Sequence, residues 1–256
     1  MPVDKRTLAA NLVGYMSRFL GCDLSCAPVG IPLIVPSKRR CRREPSYARP
    51  FPLVILVIGK RCVVSARPEI ADALRPLLGG RKISARLLGP AFGKRLADVC
   101  RECLPKRLAP GGWRFSRPLV FTCSRPRRVP AVPGAIVIDP ASTPPLPRAR
   151  GLRPTPVRLG ANGQISRCVL YRGKIVAECY TICVRDNNVG SIGIETAPGF
   201  RRRGFGKMCL SALTRCLIDN ARVPEYTTAY DNLASVKLAT SIGYRLFARM
   251  LRVQPR

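Results

Sequence analysis

The apolar residues Leu8, Leu12, Tyr15, Met16 and Phe19 recur at helical spacing, and this predicts an amphipathic helix over residues 3–20. The pattern then changes period. Leu53 to Ile58 is an unbroken apolar run, Gly59-Lys60 is a turn, and Arg61 to Ser65 follows, so a hairpin is expected. Pro68 sits where a first helical turn tolerates proline, and its helix should end near Gly79-Gly80. A further helix is predicted over 91–104, with Phe92, Leu96, Val99 and Cys103 on one stripe. From Arg125 to Val157 prolines stand at 126, 130, 133, 140, 144, 145, 147, 154 and 156, and only Ala135 to Ile138 reads as a short strand. This stretch is expected to be a connector over 126–157, between an N-terminal α/β domain at 1–125 and a second domain at 158–256.

Beyond the connector, Ile165–Tyr171, Ile175–Val184 and Val189–Thr196 are separated by turns at Arg172-Gly173-Lys174 and Asp186-Asn187-Asn188. An antiparallel meander is predicted. Its third strand runs into Pro198-Gly199, three consecutive arginines and a helix whose apolar face is Phe205, Cys209, Ala212, Leu213, Cys216 and Leu217. A strand over 226–230 and a short helix through Lys237 to Ile242, closing on Gly243-Tyr244, complete the pattern. The expected fold class is α/β (α+β), a mixed, mostly antiparallel sheet flanked by helices.

Three arginines in one turn repel one another unless an anion is near. A strand, a glycine-containing turn and a helix start bring backbone N–H groups and the positive end of a helix dipole to one point. Gly204 and Gly206 permit close backbone approach there, and Arg201, Arg202 and Arg203 add charge suited to more than one phosphate. A pyrophosphate fits best. The stretch has neither the Gly-Lys-Ser/Thr of a P-loop nor a G-x-G-x-x-G dinucleotide fingerprint.

Composition narrows the chemistry. Histidine is absent from the 256 residues, which removes Ser-His-Asp and Cys-His catalysis and leaves proton transfer to carboxylates, tyrosines, cysteines, lysines or water. The formal charge of +31, from 45 basic and 14 acidic residues, attracts anions, with an acidic or nucleic-acid-associated partner among the expectations. Lys38 to Arg43 is read as a solvated basic loop, the alternative being a nucleic-acid contact. The N-terminal residues lack a signal-peptide core and no run spans a membrane, so a reduced, cytoplasmic protein is expected. Cys100-Arg-Glu-Cys103 fits helix packing better than a redox pair, Cys22 and Cys26 are loosely spaced for zinc, and no metal is expected. Cys179 and Cys183 read as core thiols on one strand face, and Cys209 and Cys216 as core thiols on the helix stripe.

Arg201-x-x-Gly204-x-Gly206 resembles the acyl-CoA pyrophosphate loop of the GNAT superfamily of N-acyltransferases. Asn232, Ser235, Leu238, Gly243 and Tyr244 fall in the places of that family's N-x-x-S…L…G-F/Y segment, and the resemblance spans about 165–250. It implies a GNAT-like sheet and transfer of an acetyl group from acetyl-CoA, as co-substrate, to a small-molecule or protein amine. Thr196 and its strand would meet the pantetheine, Arg201 to Lys207, including Phe205, would surround the pyrophosphate, and Asn232 and Ser235 would lie beside the cofactor. Ala239 stands where many members carry an acidic tyrosine; Tyr244 and Tyr230 are possible substitutes, with packing as their other role. Glu195 and Glu178 are the candidate bases, the alternative being strand carboxylates facing solvent. A second reading is a catalytically inactive GNAT-like module that uses its basic surface to bind nucleic acid or an acidic protein.

Overall fold

The helical spacing at the start resolves into α1 (Lys5–Leu20), whose Leu8, Leu12, Met16 and Phe19 are buried. The strands β1 (Pro32–Pro36), β2 (Arg43–Glu44) and β3 (Arg49–Pro50) follow, and β4 (Leu53–Ile58) and β5 (Arg61–Ala66) form the expected hairpin around Gly59 at φ +56°. Next come α2 (Pro68–Leu78), α3 (Pro90–Cys103), β6 (Trp113–Ser116), β7 (Pro118–Thr122) and β8 (Ala135–Ile138). The meander appears as β9 (Ser166–Tyr171), β10 (Lys174–Cys183) and β11 (Val189–Thr196). The chain continues through α4 (Phe205–Asp219), β12 (Val223–Ala229), α5 (Leu233–Ser241) and β13 (Arg245–Pro255). The computed structural model describes residues 5–44, 49–78, 88–153, 164–183 and 189–256; the turns expected at Gly79-Gly80 and at 186–188, with the Cys183 side chain, lie outside the described residues.

The described residues fall into two compact units that do not follow the expected linear division. One comprises 13–120, 228–231 and 246–256. Its sheet runs β1-β5-β4-β13, with β6 on β13, and every pairing except the parallel β1–β5 is antiparallel. Leu53, Ile55, Val64, Ile70, Leu74, Leu96 and Leu251 fill its core. A Cβ on Gly93 of α3 would meet the Phe115 ring at 2.5 Å, so glycine sets how closely the helix lies on β6. The buried cysteine of α3 is Cys100, and Cys103, placed on the stripe from sequence, is exposed. Arg40 also departs from expectation: it is buried, donates to the Phe19 carbonyl and lies over the Phe19 ring at 4.6 Å, whereas a solvated loop was expected. The last eleven residues join this unit because β13 pairs with β4 from Arg249↔Val57 to Val253↔Leu53.

The other unit comprises 1–12, 121–227 and 232–245, and its sheet runs β12-β11-β10-β9-β8. All its neighbours are antiparallel except β11 and β12. The short strand expected within the 126–157 segment forms at Ala135–Ile138, and this β8 pairs with β9 from Ala135↔Tyr171 to Ile138↔Cys168. Strand β12 begins three residues before its expected start at Tyr226, because Pro224, a residue that reads as a break, pairs with Gly190. The α4 helix lies on one face of this sheet, where a Cβ on Gly190 would meet Leu217 Cδ2 at 2.7 Å and Cys209 Sγ donates to the Arg167 carbonyl at 3.0 Å.

Candidate functional site

Strand β11 ends at Thr196, and Ala197 is still tied to β10 by its N–H to the Val176 carbonyl at 2.9 Å. A single 3₁₀ turn over Pro198–Phe200 leads to the arginines, with Arg202 at φ +62° and Gly204 at φ +89°. Gly204 caps α4 in the left-handed conformation that glycine adopts without strain. Met208 is the first residue of this helix whose N–H reaches back four residues, to the Gly204 carbonyl at 3.0 Å. The N–H groups of Phe205, Gly206 and Lys207 are first-turn donors, and the dipole adds positive potential beside them. A Cβ on Gly206 would come within 3.1 Å of Thr196 Oγ1, so the second glycine brings the helix start against the end of the strand.

The structure divides the three arginines. All are exposed, but Arg201 Nε donates to the Thr196 carbonyl at 3.2 Å, which ties the loop to the strand end. Arg203 instead lies over Tyr171, Phe200 and Phe205 at 5.5, 5.5 and 5.3 Å from their ring centroids. Those rings pack on one another at 5.0 to 6.3 Å. The charge of Arg203 rests on aromatic faces while its side chain stays exposed in the same loop as Arg201 and Arg202. Sequence reasoning missed this triad, since Tyr171 is distant along the chain from Phe200 and Phe205. Lys207 is exposed in the first turn of α4.

Strands β11 and β12 pair in parallel from Val189↔Val223 to Ile192↔Tyr226, and the register ends there. Strand β11 runs on to Thr196 and remains paired with β10 to Ala177↔Thr196, so the two parallel neighbours part beyond Ile192. This opens a fork whose β11 arm leads to the glycine-capped helix start. On the other arm Tyr226 is buried, its hydroxyl shares a hydrogen bond with Ser235 Oγ, and burial pushes its phenol up from the ordinary value. Asn232 serves as the N-cap of α5, its Oδ1 accepting from the Ser235 N–H at 3.2 Å. Both residues taken as cofactor contacts thus have structural partners.

The candidate carboxylates sit side by side. Glu178 and Glu195 are registered partners on β10 and β11. Cys179 and Ile194, one position along each strand, belong to the α4 face, so alternation turns both carboxylates to the opposite face. There Gly193 lies beneath Tyr180, whose ring a Cβ would meet at 2.7 Å. Burial raises the Tyr180 phenol above its usual range, and Glu195 and Glu178 add to the effect. Glu178 is 1% exposed and receives Arg148 Nη1 on Oε2 at 2.6 Å; its Oε1 is buried with no hydrogen-bond partner among the described residues. The Glu178 hydrogen bond also raises the Arg148 guanidinium above its ordinary value. Glu195 is more open, its side chain 29% exposed, with Arg153 Nε at 3.6 Å. No sequence signal singled out Arg148, because it comes from the proline-rich segment.

Tyr244 does not join them. It is buried, its hydroxyl shares a 2.8 Å hydrogen bond with Thr214 Oγ1, its ring packs on Tyr226, and burial pushes its phenol well up. That makes it a core residue and corrects its candidacy as the acid. Tyr230 is 53% exposed, with Arg117 over its ring at 4.7 Å, and belongs to the other unit. Among the described residues no three His, Cys, Asp or Glu side chains lie where they could share a metal ion, and no helix is long and apolar enough to cross a membrane.

Residues 161–249 match the family model of the GNAT acetyltransferases. No curated protein matches the chain in sequence. Similar solved structures include a protein described as a GNAT-family acetyltransferase from Novosphingobium aromaticivorans, with 19% identity, a TM-score of 0.43 and coverage of 56% of this chain and 66% of that one. Others are a GCN5-related N-acetyltransferase-like protein from Streptococcus suis (16%, TM-score 0.43, 66% and 69%) and a GCN5-related N-acetyltransferase from Kribbella flavida (18%, TM-score 0.43, 62% and 63%). The chain thus spans just under two thirds of the length of the first of these.

Proposed function

We propose that the protein is an N-acetyltransferase that moves an acetyl group from acetyl-CoA to an amine, a reading supported by the match of residues 161–249 to the GNAT acetyltransferase family model. The observation that supports this most is the fork between β11 and β12 leading to a helix start capped by a left-handed glycine. An extended pantetheine can hydrogen-bond to the unpaired edge of β11, and a diphosphate suits the first-turn amides of Phe205, Gly206 and Lys207. Gly206 keeps that end of α4 free of a Cβ, while Arg201 and Arg202 supply charge from the exposed loop. Arg203 contributes by stiffening the loop on its aromatic triad.

The chemistry needs placement and the removal of a proton. The amine nitrogen attacks the thioester carbonyl, the C–S bond breaks and coenzyme A leaves as a thiolate, which takes up the proton released from nitrogen. Glu195 is the carboxylate with access to solvent and to the β11 edge, so it accepts the ammonium proton, directly or through water. Titration calorimetry with acetyl-CoA tests the reading. The wild-type chain should bind saturably and Gly204→Glu, which puts a negative side chain at a strained position in the loop, should not. Absence of binding by the wild type, or equal affinity in the variant, would reject it.

A further inference from the structure

The tip of the β4–β5 hairpin borders a recess of about 470 Å³ that shares no residue with the fork or the arginine loop. Its apolar walls are Val13 of α1, Leu24, Val29 and Ile58, and its charged members, Lys60 and Arg61, are both cations. The size falls within the range of small-ligand sites, roughly 300–1,000 Å³. Every lining residue belongs to the unit of 13–120, 228–231 and 246–256. The recess is reached from solvent: Val29 is 60% exposed, and Ile31, two residues on, is 50% exposed. Aliphatic side chains held open beside an apolar hollow mark a site for a ligand with apolar surface of its own.

Arg61, itself exposed, is held in place by the loop beside it. Its Nη1 donates to the Ser25 carbonyl at 2.7 Å and to the Ala27 carbonyl, which ties the guanidinium to the 3₁₀ turn over Leu24–Cys26 and the residue after it. The backbone adds to the grip: Val29 forms an antiparallel bridge with Arg61, and the Gly30 N–H donates to the Lys60 carbonyl at 2.8 Å. Tying down Nη1 leaves the Nε–Nη2 edge, the pair of parallel N–H groups that a carboxylate takes side-on. The loop's own carboxylate is engaged within its turn, since Asp23 Oδ1 accepts from the Ser25 N–H at 2.8 Å and Oδ2 from Cys26 Sγ at 3.7 Å.

We propose that this recess is a binding site for a medium-chain carboxylic acid. The carboxylate lies against the Nε–Nη2 edge of Arg61, with Lys60 adding charge, and the alkyl chain covers Val13, Leu24, Val29 and Ile58. A ligand with a tail and no anionic head would leave the fixed arginine without a counter-charge, and a small anion would leave the apolar walls wet; a monocarboxylate with a chain satisfies both. The site is independent of acetyl transfer, because none of the residues placed at the fork or the glycine-capped helix start takes part.

Titration calorimetry of the full chain with octanoate, at fixed ionic strength, should show one saturable site per chain. Acetate carries the head alone and 1-octanol the tail alone, and each should bind at least about tenfold more weakly. Arg61→Gln should weaken octanoate about tenfold. Because that change also releases the Ser25 and Ala27 carbonyls and can unfasten the loop, a pair of variants at the exposed Val29 decides: Val29→Glu should bind octanoate about tenfold more weakly than Val29→Lys. Lys106→Glu, an exposed position outside the recess with the same two-unit change of charge, should stay within about twofold of the wild type. No binding by the wild type, octanol binding as tightly as octanoate, or equal affinities in the two Val29 variants would overturn the proposal. A loss in Lys106→Glu as large as that in Val29→Glu would reduce it to general attraction by the charge of +31. A wild-type dimer in sedimentation that Val29→Glu disperses would give the apolar face to a second copy of the chain and overturn it equally.

Discussion

Gly204 is the residue on which the loop turns. At φ +89°, with Val132 Cγ2 3.0 Å from the place of a Cβ, it tolerates no side chain without strain. Gly204→Ala should lower stability by about 1–2 kcal/mol, read by urea denaturation, and weaken acetyl-CoA binding more than a distant change of equal cost. Tyr244 gives the opposite expectation. Tyr244→Phe removes one side of its hydrogen bond with Thr214, yet Thr214 Oγ1 also donates to the Leu210 carbonyl at 2.6 Å. Stability should fall by about 1 kcal/mol with kcat unchanged, and a large kcat loss would restore Tyr244 as an acid. The loop was legible at this scale because Arg201, Gly204 and Gly206 are adjacent in sequence. Arg148 was not, since thirty positions separate it from Glu178 and nothing local marks the pair. The fate of Arg203 was hidden for the same reason: its charge is read from three rings that only the fold assembles.

Among the elements, the α4–β11 contact is set by a glycine. Gly190 faces Leu217 at a distance no Cβ occupies, and Gly190→Val should cost about 1–3 kcal/mol by overpacking, measured as a lower denaturation midpoint. Helices α1, α3 and α4 and the hairpin β4–β5 were readable, because each is specified by spacing within its own residues. The expected start of β12 fell three residues late, at Tyr226, and the pairing of the short strand β8 with β9 went unread, since a strand's partners leave no mark in its own sequence. The amphipathic stripe of α3 shows the limit of counting: Cys100 and Cys103 both fit a helical period, and only packing makes the first buried and the second exposed.

Across the whole molecule, the thiols and the net charge govern the response to solution conditions. Burial pushes Cys62, Cys100 and Cys168 up to about 12 and Cys123 to about 11, from an ordinary value of 9.0. Since these thiols ionise more readily when unfolded, their contribution is full below pH 9.0 and is lost as pH rises through the window to about 12. A Tm that falls on the alkaline side, and less steeply in Cys62→Ala or Cys168→Ala, would bear this out. Iodoacetamide should label Cys26, Cys41 and Cys103 in the native chain before the buried thiols, and peptide mapping checks the order. The charge of +31 should draw acetyl-CoA by long-range attraction, so kcat/KM should fall steadily with added salt; a flat dependence would confine the effect to the loop.

The route of the C-terminal strand has a practical consequence. Because β13 hydrogen-bonds along β4, the residues after the proline-rich segment cannot be excised as a self-sufficient fragment. A piece ending there would leave β4 with a bare apolar edge open to aggregation, and its complement would carry an orphan strand. Co-expression of the two halves, each insoluble alone, should recover soluble material through reassembly at that seam.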